Sequence, residues 1–291
     1  MSVILITGAD GLLGQALMRS DKNPNASYVF LNRHQLDITD YSHIIQQIRA
    51  YHPSIIINCA AFTNVEKAET HPADTFNVNG FGPGLLAHAC RLHNIWLIHI
   101  STDYVFDGNQ APYKETDTPI PLSIYGKSKL AGETAISRLT EKFTILRTSW
   151  LFDKYTKNFM THMATLIQEK PHVEVVDTQV GSPTYADDLA RILNTLCAAM
   201  NNTQCFKGIF HYAGKPSISR YDWACLIKNT LHQQYPHLRL ASIIQVDTWN
   251  TLAERPKNSA LISEKLCRCL GATPSDWQEA TRVLISKLNT P

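Results

Sequence analysis

Short apolar runs, each long enough for one strand, alternate with amphipathic stretches through the first half of the chain. The apolar runs are Val3–Thr7, Tyr28–Leu31, Ile55–Asn58, Trp96–Ser101 and Phe143–Leu146. The helical patterns between them are Leu12–Ser20, Tyr41–Tyr51, Ala73–His93 and Ile124–Leu139. A strand without a polar face indicates burial on both sides of a parallel sheet. The repeated strand–helix–strand order therefore predicts an α/β fold built on a doubly wound parallel sheet.

The pattern changes after Arg147. The predicted elements there are a helix near Asn158–Gln168, a strand at Val173–Val176, a helix near Ala186–Met200, a strand near Gly208–Tyr212 and a helix that is capped by Ser219. We expect residues 1–148 to form the sheet domain, with about 172–204 returning to it as a strand and a helix. Residues 149–171 and 205–291 would form a smaller C-terminal lobe, because 291 residues leave room for both parts.

The stretch Ala73–His93 carries residues that weaken a helix interior. Gly80, Gly82 and Gly84 flank Pro83, whose ring and missing N–H interrupt the helical hydrogen bonds. We therefore expect a break near Pro83, with a helix that restarts there.

Composition excludes several classes of protein. A formal net charge of +2, with 18% charged residues, gives no support for nucleic-acid binding, and no apolar run approaches membrane-spanning length. The seven cysteines are scattered without a Cys-x-x-Cys pair, and the histidines show no metal-binding spacing, so we expect neither disulfides nor a metal site. The chain starts in a strand without a charged leader, and a reducing cytoplasm is the expected location.

A glycine-rich turn joins the first strand to the first helix. Gly8, Gly11 and Gly14 permit a tight turn and let backbone N–H groups approach a pyrophosphate at the helix start. This context indicates a dinucleotide site of the Rossmann type. The residues expected to contact the cofactor here are Gly8, Asp10, Gly11, Leu12, Leu13 and Gly14.

The end of the second strand bears on the choice of cofactor. An acidic residue usually binds the ribose hydroxyls of NAD at this point, but the chain has Asn32 and Arg33 instead. A cation suits a 2′-phosphate, so the sequence favours NADPH and leaves NADH as the alternative. Asp37 and Ile38 are expected near the adenine. Asn58-Cys59-Ala60-Ala61 ends the third strand with small residues, as close approach to a dinucleotide requires.

Tyr125 and Lys129 stand four residues apart on a predicted helix and so share one face. A neighbouring ammonium lowers a phenol pKa from its usual value of about 10, which enables proton exchange with a carbonyl oxygen. A hydroxyl from Thr102 or Ser101 could hold the same oxygen. Taken alone, this spacing is weak evidence, because chance gives on average about half of one Tyr-x-x-x-Lys match in a chain of this composition. Its alternative interpretation is a surface pair without chemistry.

Together these motifs resemble the dTDP-4-dehydrorhamnose reductase family of extended short-chain dehydrogenase/reductases, over nearly the whole chain. The matching segments are Asn58–Glu69, Ser101–Gly108, Arg147–Trp150, Asp177–Thr184 and Arg255–Ser259, together with the glycine turn and Tyr125–Lys129. The resemblance implies that NADPH reduces the C4 carbonyl of dTDP-4-dehydro-β-L-rhamnose to give dTDP-β-L-rhamnose.

The resemblance also implies roles for individual residues. Tyr125 would donate the proton, Lys129 would lower its pKa and hold the ribose, and Thr102 would bind the oxygen. The further cofactor contacts would be Cys59, Ala60, Ala61, Thr63 and Ser101. The substrate contacts would be Thr102, Asp103, Tyr104, Trp150 and Arg255. Each of these residues also has an alternative, purely structural interpretation. Thr102 or Asp103 could cap a turn, Trp150 could be a core residue, and Arg255 and Arg33 could be surface charges.

One position departs from the family. Some members carry a glutamate two residues after the last glycine, where it helps to hold Mg²⁺ at a dimer interface, and this chain has Ala16. Mg²⁺ is therefore left open, as is the homodimer that the resemblance allows. Two alternative functions also stay open. One is a reductase or epimerase for another nucleotide sugar, and the other is a non-catalytic regulatory subunit that binds NADP, as one relative does for methionine adenosyltransferase.

Overall fold

The structure is a computed structural model that describes residues 2–200, 205–248 and 250–288. The predicted domain boundaries at 204 and 291 lie outside the described residues. Among the helices that are described, none is long and apolar enough to cross a membrane.

Strands and helices are numbered here in chain order. The strands are β1 (Ser2–Thr7), β2 (Ala26–Leu31), β3 (Ile55–Asn58), β4 (Trp96–Thr102), β5 (Phe143–Thr148), β6 (Leu151–Phe152), β7 (His172–Val176), β8 (Val180–Gly181), β9 (Thr184–Tyr185), β10 (Gly208–His211), β11 (Ile218–Ser219) and β12 (Ser242–Val246). The helices are α1 (Leu12–Arg19), α2 (Tyr41–Tyr51), α3 (Val65–Thr70), α4 (Pro72–Phe76), α5 (Gly82–Leu92), α6 (Ile124–Leu139), α7 (Phe159–Glu169), α8 (Ala186–Ala199), α9 (Arg220–Gln234), α10 (Glu264–Leu270) and α11 (Trp277–Ile285).

Six of the described strands form one sheet in the order β10-β5-β4-β3-β1-β2, and every neighbouring pair is parallel. Successive residues of a strand point to opposite faces, so each strand supplies two cores. In β1, Ile4 and Ile6 pack on one face with α1, α8 and α10, whereas Leu5 packs on the other with α2, α5 and α6. The prediction of a Rossmann-type doubly wound α/β fold is confirmed.

The position of the site follows from the strand order. After β1 the chain moves outward to β2 and then returns to β3 on the other side of β1. Ligands of open α/β sheets bind where the order reverses, outside the carboxyl ends of the strands. Here that place lies between Gly8, which follows β1, and Cys59, which follows β3.

The C-terminal half corrects part of the sequence prediction. Strand β7 was expected to return to the main sheet, and this is wrong: it pairs with β12 in a separate two-stranded sheet. Helix α8 does return, because its apolar face packs against α1 in the core of the sheet. Strand β10, which was assigned to the smaller lobe, instead extends the main sheet next to β5. Phe210 supplies the reason, since its buried side chain completes the same core.

The predicted helix break is confirmed and has two parts. Residues Asn77–Phe81 form a π-helical turn, and α5 starts at Gly82 with Pro83 in its first turn. Proline fits there because the first N–H groups of a helix have no intrahelical partner. The wide turn places Asn79 against α6, where its amide donates to the hydroxyl of Ser128 over 3.1 Å.

A separate apolar core holds the smaller lobe together. Trp223 of α9 and Trp277 of α11 are both fully buried and meet edge to face with ring centroids 6.0 Å apart. The core also includes Phe152 of β6 and apolar residues of α7. This lobe therefore has its own packing and lies against the carboxyl end of the main sheet through β6, which follows β5 directly.

Candidate active site

A cavity of about 730 Å³ opens at the carboxyl ends of the sheet strands and extends to the smaller lobe. Most of the residues that the sequence predicts for the site line it. They are Gly8, Asp10, Gly11, Leu12, Leu13, Arg33, Asp37, Ile38, Cys59, Ala60, Ala61, Thr63, Ser101, Thr102, Asp103, Tyr104, Tyr125, Lys129 and Trp150. Residues that are scattered through the sequence thus meet around one space.

The glycine turn forms one wall of this cavity. Gly8 has a positive φ of 66°, and a Cβ there would come within 2.7 Å of the backbone N of Ala60. Gly14 is equally constrained, because its Cβ would lie 2.5 Å from the carbonyl oxygen of Gly8. No side chain caps the N-terminus of α1 at Gly11. The first backbone N–H groups of α1 are therefore part of this wall and are free to donate hydrogen bonds to an anion in the cavity.

Arg33 lies at the open end of the cavity. Its side chain is 79% exposed, and its Nε is 3.6 Å from the carboxylate of Asp37. Thr39 also donates to Asp37, and these contacts lower the pKa of the Asp37 carboxyl although burial opposes them. The guanidinium is held only loosely and can turn toward a ligand.

Three predicted residues do not line the cavity. Gly14 lies beneath the turn as a packing position. Asn32 uses its side-chain oxygen to accept the backbone N–H groups of His34 and Gln35, which fixes a local turn. Arg255 pairs with Glu66 at 2.6 Å, a contact that connects the C-terminal segment to α3. The structure thus places Gly14, Asn32 and Arg255 behind or beside the cavity wall.

Helix α6 carries Tyr125 and Lys129, and a buried ion pair fixes its position. The guanidinium of Arg147 on β5 donates to both oxygens of Glu133, with a shortest distance of 2.6 Å. Both side chains are almost fully buried, at 1% and 3% exposure. Ser101 of β4 donates to the same carboxylate over 2.5 Å. Since Glu133 stands one turn beyond Lys129, this contact holds the face of α6 that carries Tyr125 and Lys129 against the sheet.

Tyr125 is half-buried at the inner end of the cavity, with its ring 5.9 Å from that of Tyr104 in an edge-to-face contact. Burial raises the pKa of the Tyr125 phenol well above its usual value, and a hydrogen bond with Thr102 only partly opposes the rise. The sequence predicted that Lys129 would lower this pKa. The environment of the protein has the opposite net effect, because burial is the largest contribution. Tyr125 is therefore a phenol, a proton donor, over the whole neutral range.

Lys129 is buried, and burial lowers the pKa of its amine to about 8. Its Nζ donates to the carbonyl oxygen of Ile100 over 2.7 Å and lies 3.2 Å from Nε2 of His99. Two residues of β4, His99 and Ile100, thus fix the position of the Lys129 Nζ at the cavity.

The two hydroxyls that could hold a substrate oxygen differ in their surroundings. The Ser101 hydroxyl is committed to Glu133. Thr102 donates to Asp103 over a longer 3.1 Å and accepts the backbone N–H of Tyr104. Thr102 is the better candidate of the two, because its hydroxyl is beside Tyr125 and can exchange its weak contact for a ligand.

Asp103 connects three parts of the protein. Its carboxylate accepts hydrogen bonds from Thr102, from Ser149 at 2.9 Å and from Ser259 at 2.5 Å. Burial raises the pKa of Asp103, whereas the three hydroxyls oppose that rise. With these partners, Asp103 fixes the segment after β5 and the C-terminal segment around the site. Thr102 also caps the short 3₁₀ turn Asp103–Val105, as its alternative interpretation predicted, and its role at a substrate oxygen stays a prediction.

Trp150 adopts a left-handed backbone conformation with a φ of 46°. Its ring covers Gly181, where any side chain would collide with the indole. The guanidinium of Arg220 stacks on the Trp150 ring, 3.4 Å from the ring centroid. The indole N–H is buried and has no hydrogen-bond partner among the described residues, and the same is true of the Thr148 hydroxyl. Both residues line the cavity, where these groups are placed to bind a polar ligand.

Several residues in or beside the cavity were missed at the level of sequence, and three of them are polar or charged groups that could contact a ligand. Lys157 and Thr148 line the cavity, and Arg220 stacks on its wall residue Trp150. The Arg220 guanidinium also lies over the ring of Phe159 and interacts with Tyr104 and Asp103, and burial lowers its pKa to about 10. The only sequence signal was its place directly after the helix cap Ser219. A partly buried guanidinium beside the cavity wall can bind an anion through charge-assisted hydrogen bonds.

Comparisons with known proteins agree with one another. The family model described as RmlD substrate binding domain matches residues 1–290. The dTDP-4-dehydrorhamnose reductase of Aggregatibacter actinomycetemcomitans is 39% identical over 97% of this chain and 98% of its own length. A protein of Streptomyces niveus named dTDP-4-keto-6-deoxy-D-glucose reductase is also 39% identical, over 76% of this chain and 75% of its own length.

A solved structure matches the fold over its whole length. The dTDP-4-dehydrorhamnose reductase of Bacillus anthracis, crystallised in complex with NADP, is 34% identical and superposes with a TM-score of 0.89. The match covers 99% of this chain and 100% of that chain. The sequence comparisons and the structural comparison therefore identify the same family.

Proposed function

The chain belongs to the RmlD substrate binding domain family, and on that premise we propose that it reduces the C4 keto group of dTDP-4-dehydro-β-L-rhamnose with NADPH to give dTDP-β-L-rhamnose. It is an oxidoreductase of nucleotide-sugar biosynthesis. The observation that carries the proposal is the single cavity, in which the glycine turn and the group Thr102, Tyr125 and Lys129 line the same space.

The residues of the cavity fit a dinucleotide. Gly8 and Gly14 leave no room for a Cβ, and the uncapped start of α1 offers amides to a pyrophosphate. Arg33 would meet the 2′-phosphate of NADP, with Asp37 and Ile38 near the adenine. Cys59, Ala60, Ala61 and Thr63 would follow the cofactor toward the inner end. When bound, NADPH supplies the hydride.

Tyr125 gives the proton that the reduced carbonyl oxygen needs. Its raised pKa keeps the phenol protonated until charge develops on that oxygen, and an alkoxide is basic enough to take the proton. The Thr102 hydroxyl holds the same oxygen by hydrogen bonding. Lys129 on α6, whose Nζ donates to the carbonyl oxygen of Ile100 on β4, would hold the ribose and place positive charge next to it. Preorganised donors around a developing oxyanion supply much of the electrostatic benefit.

The lobe side of the cavity would bind the nucleotide sugar. Tyr104 and Trp150 would contact the sugar, with the free indole N–H of Trp150 as a donor. Arg220 and Lys157 add cations for the substrate phosphates. We assign Asp103 and Arg255 to the organisation of this wall, because their side chains are already paired with Ser149, Ser259 and Glu66.

The division into parts is included in the proposal with changed boundaries. Residues 2–148 with α8 and β10 would form the NADP-binding part, and the other residues after 148 would form the substrate-binding part. Mg²⁺ does not enter the proposal, because Ala16 is fully buried in the core. A homodimer and a cytoplasmic location stay predictions, and light scattering measures the first.

The test is a coupled assay. The protein is incubated with NADPH and enzymatically generated dTDP-4-dehydro-β-L-rhamnose, and loss of absorbance from the reduced cofactor is followed. We expect oxidation of NADPH that depends on the sugar. Absence of turnover at every enzyme concentration, with cofactor binding intact, would instead favour a regulatory NADP-binding subunit.

A second candidate differs only in the sugar. The Streptomyces niveus relative, whose name gives dTDP-4-keto-6-deoxy-D-glucose as substrate, supports a reductase for another 4-keto nucleotide sugar. The two sugars are compared in the same assay by kcat/KM. A preference for the dehydro-rhamnose isomer supports the first candidate, and the reverse preference supports the second.

A further inference from the structure

A buried polar chain runs from β1 to the catalytic lysine and has no part in the proposed chemistry so far. It consists of Thr7, Asn58, His99 and Lys129, all between 0% and 2% exposed. The Thr7 hydroxyl donates to Oδ1 of Asn58 over 2.6 Å. Nδ2 of Asn58 lies 3.0 Å from Nδ1 of His99, and Nε2 of His99 lies 3.2 Å from Nζ of Lys129.

The orientation of the Asn58 amide is fixed by a donor that cannot change. The backbone N–H of Ala60 points at Oδ1 of Asn58 over 3.2 Å, so this atom must be the oxygen. The amide nitrogen then faces His99 and donates to its Nδ1. Nδ1 accepts and carries no proton.

The proton of the neutral imidazole is therefore on Nε2, toward Lys129. His99 is neutral because burial and the nearby Lys129 charge hold its pKa well below the usual range. An Nε2–H group can donate to a neutral amine, but it opposes the N–H groups of an ammonium. The ammonium form of Lys129 is thus disfavoured twice: burial removes its hydration, and the Nε2–H group of His99 is a donor where an ammonium needs an acceptor.

We propose that Asn58, held by Thr7 and the backbone N–H of Ala60, is a positioning residue that locks His99 as its Nε2–H tautomer, and that His99 thereby disfavours the ammonium form of Lys129. The other ionisable groups around Lys129 are Cys59 after β3 and Glu133 and Tyr125 on α6. Glu133 favours the ammonium but shares its charge with Arg147. The consequence for turnover, which rests on the proposed function, is that this chain sets the pH at which the site loses its lysine charge.

The first test reads the tautomer without any substrate. Nitrogen NMR shifts of the His99 ring, assigned by their loss in His99→Gln, are recorded for the full chain on both sides of about pH 8, where Lys129 titrates. We expect Nε2–H throughout. An Nδ1–H tautomer in the unaltered protein would overturn the proposal, whatever sugar the enzyme reduces.

The second test reverses the direction of the hydrogen bonds between residue 58, His99 and Lys129. Asn58→Asp places an acceptor against Nδ1 of His99, so the proton moves to Nδ1 and Nε2 becomes an acceptor for the Lys129 ammonium. We expect the Lys129 titration, followed on isotope-labelled lysines and assigned with Lys129→Met, to move from about 8 toward the ordinary value of about 10.4. Thr7→Val is the matched uncharged control: it removes one donor to Oδ1 of Asn58 but leaves the backbone N–H of Ala60 in place, so the Nε2–H tautomer and the Lys129 titration should stay as in the unaltered protein.

Two controls separate this effect from charge and from general damage. In the double variant Asn58→Asp with His99→Phe, the new carboxylate can act on Lys129 only through its charge. An equal shift of the Lys129 pKa in that variant would contradict the role of the imidazole. In the NADPH assay the alkaline limb of kcat should move upward by roughly one pH unit in Asn58→Asp. A loss of kcat at all pH values with an unmoved limb would indicate a merely structural role. If Asn58→Asp does not fold, the tautomer of the unaltered protein still decides, because an Nδ1–H imidazole there would overturn the proposal.

Discussion

The two ends of the cavity are built differently. At the inner end, Tyr125 and Lys129 are held by a buried ion pair and a buried polar chain, and burial moves both of their pKa values. At the outer end, Arg33 is 79% exposed and has one loose partner in Asp37. Fixed, desolvated groups suit chemistry, because electrostatic interactions are stronger where water is excluded. An exposed cation suits recognition of a phosphate, since it can adjust at low cost.

The largest expected effect is at the inner end. Tyr125→Phe removes the proton donor and keeps the ring, so kcat should fall on the order of 100- to 10,000-fold while the Kd for NADPH stays unchanged. Steady-state kinetics and cofactor fluorescence measure the two quantities. Tyr51→Phe on the surface of α2 is the matched control. Undiminished turnover in Tyr125→Phe would contradict the assigned proton donor but leave the reaction itself intact.

The support of the inner end predicts a stability effect. Glu133→Gln leaves the buried Arg147 guanidinium without its carboxylate, which should lower the free energy of unfolding by about 3–5 kcal/mol. Denaturant unfolding measures it. Glu141→Gln is the control, because Glu141 is 83% exposed in its contact with Lys207 and should change stability by less than about 0.5 kcal/mol. Similar values for the two variants would mean that the ion pair does not hold α6.

A pH profile separates the two groups that we propose to be catalytic, Tyr125 and Lys129. Because the pKa of Lys129 is lowered to about 8 and that of Tyr125 is raised, the charge lost first as pH rises is that of Lys129. We expect kcat to fall as pH passes about 8 and to approach a tenfold loss per pH unit above it. A profile that stays flat up to the ordinary lysine range would show that the lysine charge is not needed.

The outer end should give the smallest effect. Arg33→Ala removes a cation that would contact the 2′-phosphate, so kcat/KM for NADPH should fall about tenfold, with kcat and the use of NADH nearly unchanged. Arg49→Ala, an exposed arginine on α2, is the control. An unchanged ratio of the two cofactors would remove Arg33 from the proposal and make it a surface charge.

The sequence was sufficient where local pattern decides structure. The alternation of apolar runs predicted the strands that form the centre of the sheet, and Pro83 predicted where α5 starts. It failed where tertiary pairing decides. Nothing within the β7 strand says that it pairs with β12, and only the core under Phe210 explains why β10 joins the main sheet.

The site shows the same limit. Chemistry-bearing residues in a motif, such as Thr102, Tyr125 and Lys129, were found because their types and spacing are unusual together. His99 and Arg220 were not found, since one lies inside an apolar strand and the other after an ordinary helix cap. The environment of Tyr125 was also predicted with the wrong sign, because burial of a phenol is a property of the folded protein.

The central claim is that the inner end transfers hydrogen from NADPH to the C4 carbonyl of the nucleotide sugar. The most direct measurement uses NADPH with deuterium at C4 of the nicotinamide, in each of its two stereoisomers, and locates the label in the product by NMR and mass spectrometry. We predict that one stereoisomer places one deuterium on C4 of the sugar in dTDP-β-L-rhamnose. A product without deuterium from either stereoisomer, or with the label at another carbon, would contradict the claim.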